Sequence, residues 1–231
     1  MLEFGMPTLI ENKTLEDNIA LCKQLGLSFI ELNMNFPEYQ VDKIEDIDWF
    51  YEKADGAGIY YTQPLTINMH MRHGIYITLP GKKVQMYERD FDVYMDYFLC
   101  FIKFCEERIG DADIQIAIEN TNGFREYEKR AIESMLESDC FGLTWDIGHS
   151  KATGEIDVPF ILNNKCKLSH FHIHDGRENP PKDHLALGDG EIDIVERLNM
   201  AKACNARCVL ETKTIEALKK SEKWIKNEEH L

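Results

Sequence analysis

The feature that most restricts the fold of this chain is a rhythm: short β-prone runs alternate with amphipathic helical stretches along most of its length. The β-prone runs fall at residues 2–5, 29–32, 59–63, 75–79, 114–119, 142–146, 170–174 and 208–211, which makes eight. Helical periodicity occupies 14–25, 45–57, 87–109, 126–137, 193–205 and 215–227, and Thr14 with Asp17 resembles a capping box at the first of these. Strands separated by helices pair in parallel, because a parallel neighbour needs a long crossover. The pattern predicts an α/β fold, a short (β/α)8 TIM barrel with one or two helices reduced or missing. The stretch 66–74 is too short for a full helix, and 158–164 offers a turn or two. An open doubly wound sheet would give a similar alternation. No linker, repeat or low-complexity segment marks a boundary, so residues 1–231 read as a single domain.

Composition narrows the function classes. A hydrophobic share of 44% with 29% charged residues suits a soluble protein, and no apolar run approaches the length of a membrane span. The N-terminus has no basic region followed by an apolar stretch, so a cytoplasmic location is expected. Seven scattered cysteines with no CxxC pair fit reduced thiols better than a disulfide frame or zinc knuckle. A net charge of −15 repels a phosphate backbone on average and weighs against a nucleic-acid partner.

The chemistry gathers at strand ends. IAIEN closes on Glu119, LTWDIGH carries Asp146 and His149, HFHIHD carries His170, His172 and His174, and VLET ends at Glu211. In a barrel all these ends meet on one face, and hard carboxylate oxygens with an imidazole nitrogen form the donor set of a divalent cation. Side chains alternate along a strand, so the three histidines of HFHIHD share a face toward the barrel axis while Phe171 and Ile173 face the helices. The loop KDHLALGDGEID adds His184 and two glycines, Gly188 and Gly190, which permit close backbone approach to a ligand.

Taken in order, LGLSFIEL (25–32), IEN (118–120), DIGH (146–149), HIHD (172–175), DHLALGDGEID (183–193) and LET (210–212) resemble the xylose-isomerase-like barrels, which include endonuclease-IV-type nucleases, ketose 3-epimerases and hydroxypyruvate isomerase. The resemblance implies metal ligands at Glu119, Asp146, His172 and Glu211. It places His149 where epimerases contact substrate and nucleases hold a further metal. In the nuclease branch histidines close the third and fourth strands, and the matching positions are read here as Gln63 and Leu79. Leucine binds no zinc, so one divalent ion (Mn, Mg, Co or Zn) and a sugar or hydroxyketo-acid isomerase or epimerase are expected. Glu119 and Glu211 would move protons through an enediolate and His149 would orient substrate, with His184, Arg177 and Gln63 as further substrate contacts. The rival readings are a metal-dependent endonuclease-IV-like phosphodiesterase and a non-catalytic sugar-binding barrel. The expected partner is a small molecule, with an oligomer possible.

Overall fold

In the computed structural model, residues 2–33, 35–39, 47–61, 65–71, 76–79 and 82–227 are described. The first unit is β1 (Phe4–Pro7), α1 (Leu15–Leu25) and β2 (Phe29–Glu31). Thr14 caps α1 by accepting from the Asp17 amide at 3.1 Å. The helix stops at Gly26, whose φ of 69° is a left-handed turn that glycine adopts without strain. Ile19, Cys22 and Leu25 recur at helical spacing and are buried, so this face packs inward.

Next come α2 (Ile47–Asp55) and β3 (Tyr60–Tyr61), then β4 (Leu65–His70). A hairpin of β5 (Tyr76–Leu79) and β6 (Lys82–Gln85) follows, with α3 (Met86–Arg89) and α4 (Phe91–Ile109) behind it. The second half runs β7 (Ile114–Glu119), α5 (Glu126–Leu136), β8 (Phe141–Asp146), α6 (Ile147–Ala152), α7 (Val158–Asn163) and β9 (Leu168–Ile173). It ends with a small hairpin of β10 (Asp175–Arg177) and β11 (Lys182–Leu185), then α8 (Ile194–Ala203), β12 (Arg207–Leu210) and α9 (Ile215–Lys226).

Eight strands form one sheet in the order β3, β2, β1, β12, β9, β8, β7, β4, and all its pairings are parallel. β1 pairs with β12, so the sheet curls back on itself as a TIM barrel. The two ends of the order, β3 and β4, are consecutive in the chain and joined by residues 62–64, too few for a helical crossover.

One expected strand is corrected. Residues 75–79 are not the fourth barrel strand: β5 pairs antiparallel with β6, outside the barrel. The fourth strand is β4, in the stretch 66–74 that sequence periodicity assigned to an abbreviated helix. Its pairing with β7 runs from Leu65↔Ile114 to His70↔Glu119. LTINMH alternates strictly, placing Thr66, Asn68 and His70 on one face, as a strand lining a polar lumen requires. The first strand also lies two residues later than expected, and the helix expected at 87–109 breaks at Asp90 into α3 and α4. Residues 45–46 of the expected second helix, and Gln63, fall outside the described residues.

The core lies between sheet and helices. Trp145, Phe171, Ile173, Ile118 and Phe141 are fully buried, and the Trp145 and Phe171 rings lie 5.6 Å apart. Each such side chain removed from water stabilises the fold by roughly 1.5–3 kcal/mol. Phe171 and Ile173 join this shell while His170 and His172 enter the lumen, the division that HFHIHD predicts. Among the described residues no helix is long and apolar enough to cross a membrane.

Candidate active site

Four strand ends bring together Glu119 from β7, Asp146 from β8, His172 from β9 and Glu211 just after β12. One donor atom of each lies within 4.8 Å of those of the other three. The strand register makes this possible, since Asp146 and His172 are direct Cα partners and Glu211 follows Leu210, the partner of Ile173. His172 Nδ1 is 3.0 Å from Glu211 Oε2, 3.5 Å from Glu119 Oε2 and 3.9 Å from Asp146 Oδ2.

This donor set fits a divalent ion. His172 Nδ1 and Glu211 Oε2 are buried and have no hydrogen-bond partner although they lie 3.0 Å apart. Two donors on one cation with bonds of about 2.1 Å sit roughly 3 Å apart at octahedral angles and need no hydrogen bond between them. Without an ion, a protonated His172 pairs with Glu211 across the same 3.0 Å, so a cation would take the place of that proton.

The other atoms of these residues are held from outside. On its far side His172 Nε2 is 3.3 Å from Glu31 Oε2, and the same oxygen is 3.0 Å from His170 Nε2. Asn68 Nδ2 donates to Glu31 Oε1 while its oxygen accepts from the Thr144 hydroxyl. His174 Nδ1 accepts from the His184 amide at 2.8 Å, which leaves the hydrogen on Nε2 to donate to Asp146 at 2.9 Å. A Cβ at Gly148 would lie 2.0 Å from the His174 ring, so DIGH needs glycine where that ring closes down.

Each glutamate presents one oxygen to the donor group and the other to a second histidine. Glu119 Oε1 lies 3.6 Å from His149 Nδ1, and Glu211 Oε1 lies 3.8 Å from His184 Nε2. His149 is also 3.1 Å from Asp146 Oδ2 and 3.8 Å from Asp183, and Asp183 accepts from His184 at 2.8 Å.

Burial disfavours the charges on Glu119, Glu211, His172, His149 and Glu31, yet the attraction of their neighbours outweighs it. Burial works to raise Glu119 and Glu211, but the His172 charge, with the other histidines around them, holds both well below the usual carboxylate range. Burial likewise opposes a charged His172, and Glu211, Glu119 and Glu31 push it well above the usual imidazole range. His149 reaches about 9, because Glu119 and Asp146 overcome its burial. Glu31 falls to about 2 under His172 and His170, again against burial.

The residues expected from sequence thus divide. Glu119, Asp146, His172 and Glu211 converge, and His149 and His184 stand against them. Among the described residues no hydrogen bond or ion pair joins Arg177 to this group, and its Nε is buried without a hydrogen-bond partner. Three neighbours had no role assigned from sequence: Glu31, Asn68 and His70. The residue that closes the fourth strand is His70, not Leu79, and its Nε2 lies 3.0 Å from Glu119 Oε2. Leu79 lies in the hairpin outside the barrel, so it does not exclude a second metal at this site.

A family profile described as xylose isomerase-like TIM barrel matches residues 13–228. The chain belongs to that family. Among solved structures of this xylose isomerase-like fold, an L-ribulose 3-epimerase superposes with a TM-score of 0.68 at 15% identity, covering 97% of this chain and 93% of that one. A D-allulose 3-epimerase from Methylomonas sp., in complex with D-allulose, gives 0.59 at 14% identity over 91% and 83%. The probable 3-DHS dehydratase from Bacillus anthracis gives 0.66 at 11% identity over 98% and 100%. No curated protein matches by sequence. Most of the other structural neighbours are described as sugar epimerases or as xylose isomerase domain proteins, and at these identities they share the fold with this chain.

Proposed function

We propose that this barrel is a divalent-metal-dependent isomerase or epimerase of a small sugar or hydroxyketo acid. The observation that carries the reading is the convergence of Glu119, Asp146, His172 and Glu211 with two of their buried donor atoms left without hydrogen bonds. These four would hold the ion. Bound there, a divalent ion supplies Lewis acidity, polarising a substrate carbonyl and making the adjacent C–H acidic.

The protein's own groups handle the proton. Both glutamates are held ionised, the state that accepts one, and each keeps Oε1 turned away from the His172 nitrogen. One carboxylate takes the carbon-bound proton and the other returns it through an enediolate; return to the opposite face of that carbon is epimerisation, and to the neighbouring carbon isomerisation. The two share one donor group and titrate together, so neither is assigned a fixed part. His149, beside Glu119 Oε1, orients a substrate oxygen, and His184 does the same beside Glu211. Arg177 and Gln63 are kept as outer substrate contacts on the sequence reading alone.

The test compares wild type with Glu119→Gln and Glu211→Gln on a panel of ketoses and hydroxypyruvate, following turnover and deuterium uptake from heavy water. Each variant should lose about 10²- to 10⁴-fold in rate. Near wild-type turnover in both would sink the proton-transfer mechanism.

A metal-dependent phosphodiesterase is the second reading, favoured by His70 beside Glu119 and by the group His149, His174 and His184, whose donor atoms also lie within 4.8 Å of one another. It requires more than one bound ion and salt-sensitive DNA binding, against a net charge of −15. Elemental analysis separates the two: one ion per chain supports the isomerase, three the phosphodiesterase.

A further inference from the structure

Nine large hydrophobic side chains are well exposed among the described residues, and four of them belong to α4: Val93 at 56%, Tyr97 at 75%, Leu99 at 53% and Phe104 at 54%. The other five are spread over separate segments, whereas on α4 Val93, Tyr97 and Phe104 lie on one side, with Leu99 about a third of a turn away. The opposite face of α4 is already used. Tyr94, Ile102 and Cys105 are buried there, and Phe91, Met95, Phe98 and Phe101 pack against the core. A second apolar stripe, set among charged residues on the outer side of the helix, is the composition of a contact surface.

The exposed stripe has a register. Val93, Tyr97, Cys100 and Phe104 follow one another at intervals of four, three and four, the spacing of a seam between two paired helices. Cys100 is exposed in the middle of it.

We propose that α4 packs against α4 of a second copy of this chain, antiparallel, across a two-fold axis between Tyr97 and Cys100. The charges beside the seam choose this occupant. Asp96 and Lys103 are exposed and seven residues apart, so they stand in one row along the same edge of the stripe. In an antiparallel pair that row faces its own copy, which sets Asp96 of each chain near Lys103 of the other, twice by symmetry. A parallel pair would set the row against the opposite edge of the partner helix, and the Asp96–Lys103 pairs would not form. Lys103 is free to turn, since its partner within the chain, Glu107, is an exposed pair at 3.8 Å worth little. Asp92, Asp96, Glu106 and Glu107 outnumber Lys103 and Arg108, whose guanidinium lies 5.3 Å from the Phe104 ring centre, so on balance the patch repels an anionic membrane. Two chains of net charge −15 also repel at long range, so the contact depends on this local match of apolar stripe and opposite charge.

Sedimentation equilibrium of the full chain at micromolar concentration tests it. The wild type should be a dimer, and Tyr97→Glu with Phe104→Glu a monomer of unchanged circular dichroism. Asp96→Lys and Lys103→Glu should each weaken the dimer by about tenfold, and the two together should restore it. In a Cys166→Ser background a short bismaleimide should join two copies through Cys100. A monomeric wild type, a dimer indifferent to the Tyr97 and Phe104 changes, or a double charge swap that fails to rescue would each overturn the proposal.

Discussion

Glu31 lies beneath His172 and shares one oxygen between the Nε2 atoms of His172 and His170, at 3.3 and 3.0 Å. A carboxylate placed behind a ligating imidazole fixes the tautomer that turns Nδ1 toward a metal, and losing such a partner typically costs 10- to 100-fold in affinity. Glu31→Gln should therefore weaken metal binding by about that factor in a chelator competition, with the far-ultraviolet spectrum unchanged; equal affinities would remove Glu31 from the site. Gly148→Ala tests a different constraint, because its Cβ would meet the His174 ring at 2.0 Å. Overpacking of this kind costs about 1–3 kcal/mol. Thermal unfolding should register it, and displacement of His174 from Asp146 should lower metal affinity as well. At this scale the sequence was informative where acids and imidazoles end an apolar strand, as at Glu119, Asp146 and Glu211. Glu31 ends its strand in the same way and carried the same signal. Asn68 and His70 were hidden by the assignment of their strand to another element.

That assignment failed for a reason belonging to the element. IYITL is apolar and β-branched, whereas LTINMH carries a polar residue at every second place, so local propensity favours the former as a barrel strand. A strand that lines a polar lumen must alternate, and only its pairing with β7 distinguishes it from a surface turn. Helices were easier to read because caps announce them, as Thr14, Asp193 and Thr214 do for α1, α8 and α9. The loop from β11 to α8 owes its shape to another buried acid. Asp175 accepts from the amides of Gly176, Gly188, Gly190 and Ile192 at 2.8, 3.0, 2.8 and 3.2 Å. Asp175→Ala would strand these donors and cost about 3 kcal/mol or more. The melting temperature should fall by roughly 6–12 °C, since each kcal/mol is about 2–4 °C in a chain of this size.

For the molecule as a whole, the charged cluster links stability to pH in the metal-free chain. His149 rises from 6.5 to about 9 on folding, so its contribution is complete below about 6.5 and is lost as pH climbs through 9. Glu31 drops from 4.5 to about 2, so its contribution is complete above about 4.5 and is lost as pH falls toward 2. Chelator-treated protein should accordingly melt highest between about pH 4.5 and 6.5 and lower at pH 9. Metal needs His172 without its proton, so uptake should release protons into a weakly buffered solution and strengthen as pH rises; uptake without release would contradict a charged His172 in the stripped protein. The three-residue step from β3 to β4 acts at the same scale. It leaves this stretch of wall without a crossover helix, and Ile67 on β4 is 38% exposed, whereas every residue of β8 is buried. A short strand at the end of the sheet order opens first: amides of β3, two residues long and paired among the described residues with β2 alone, should trade hydrogen with water by local opening, while those of β8, paired on both sides, wait for the whole barrel to come apart. Asn68 and His70 ride on β4, the strand at the other end of the sheet order, so hydrogen exchange along β4 would report how firmly that flank of the candidate site is held.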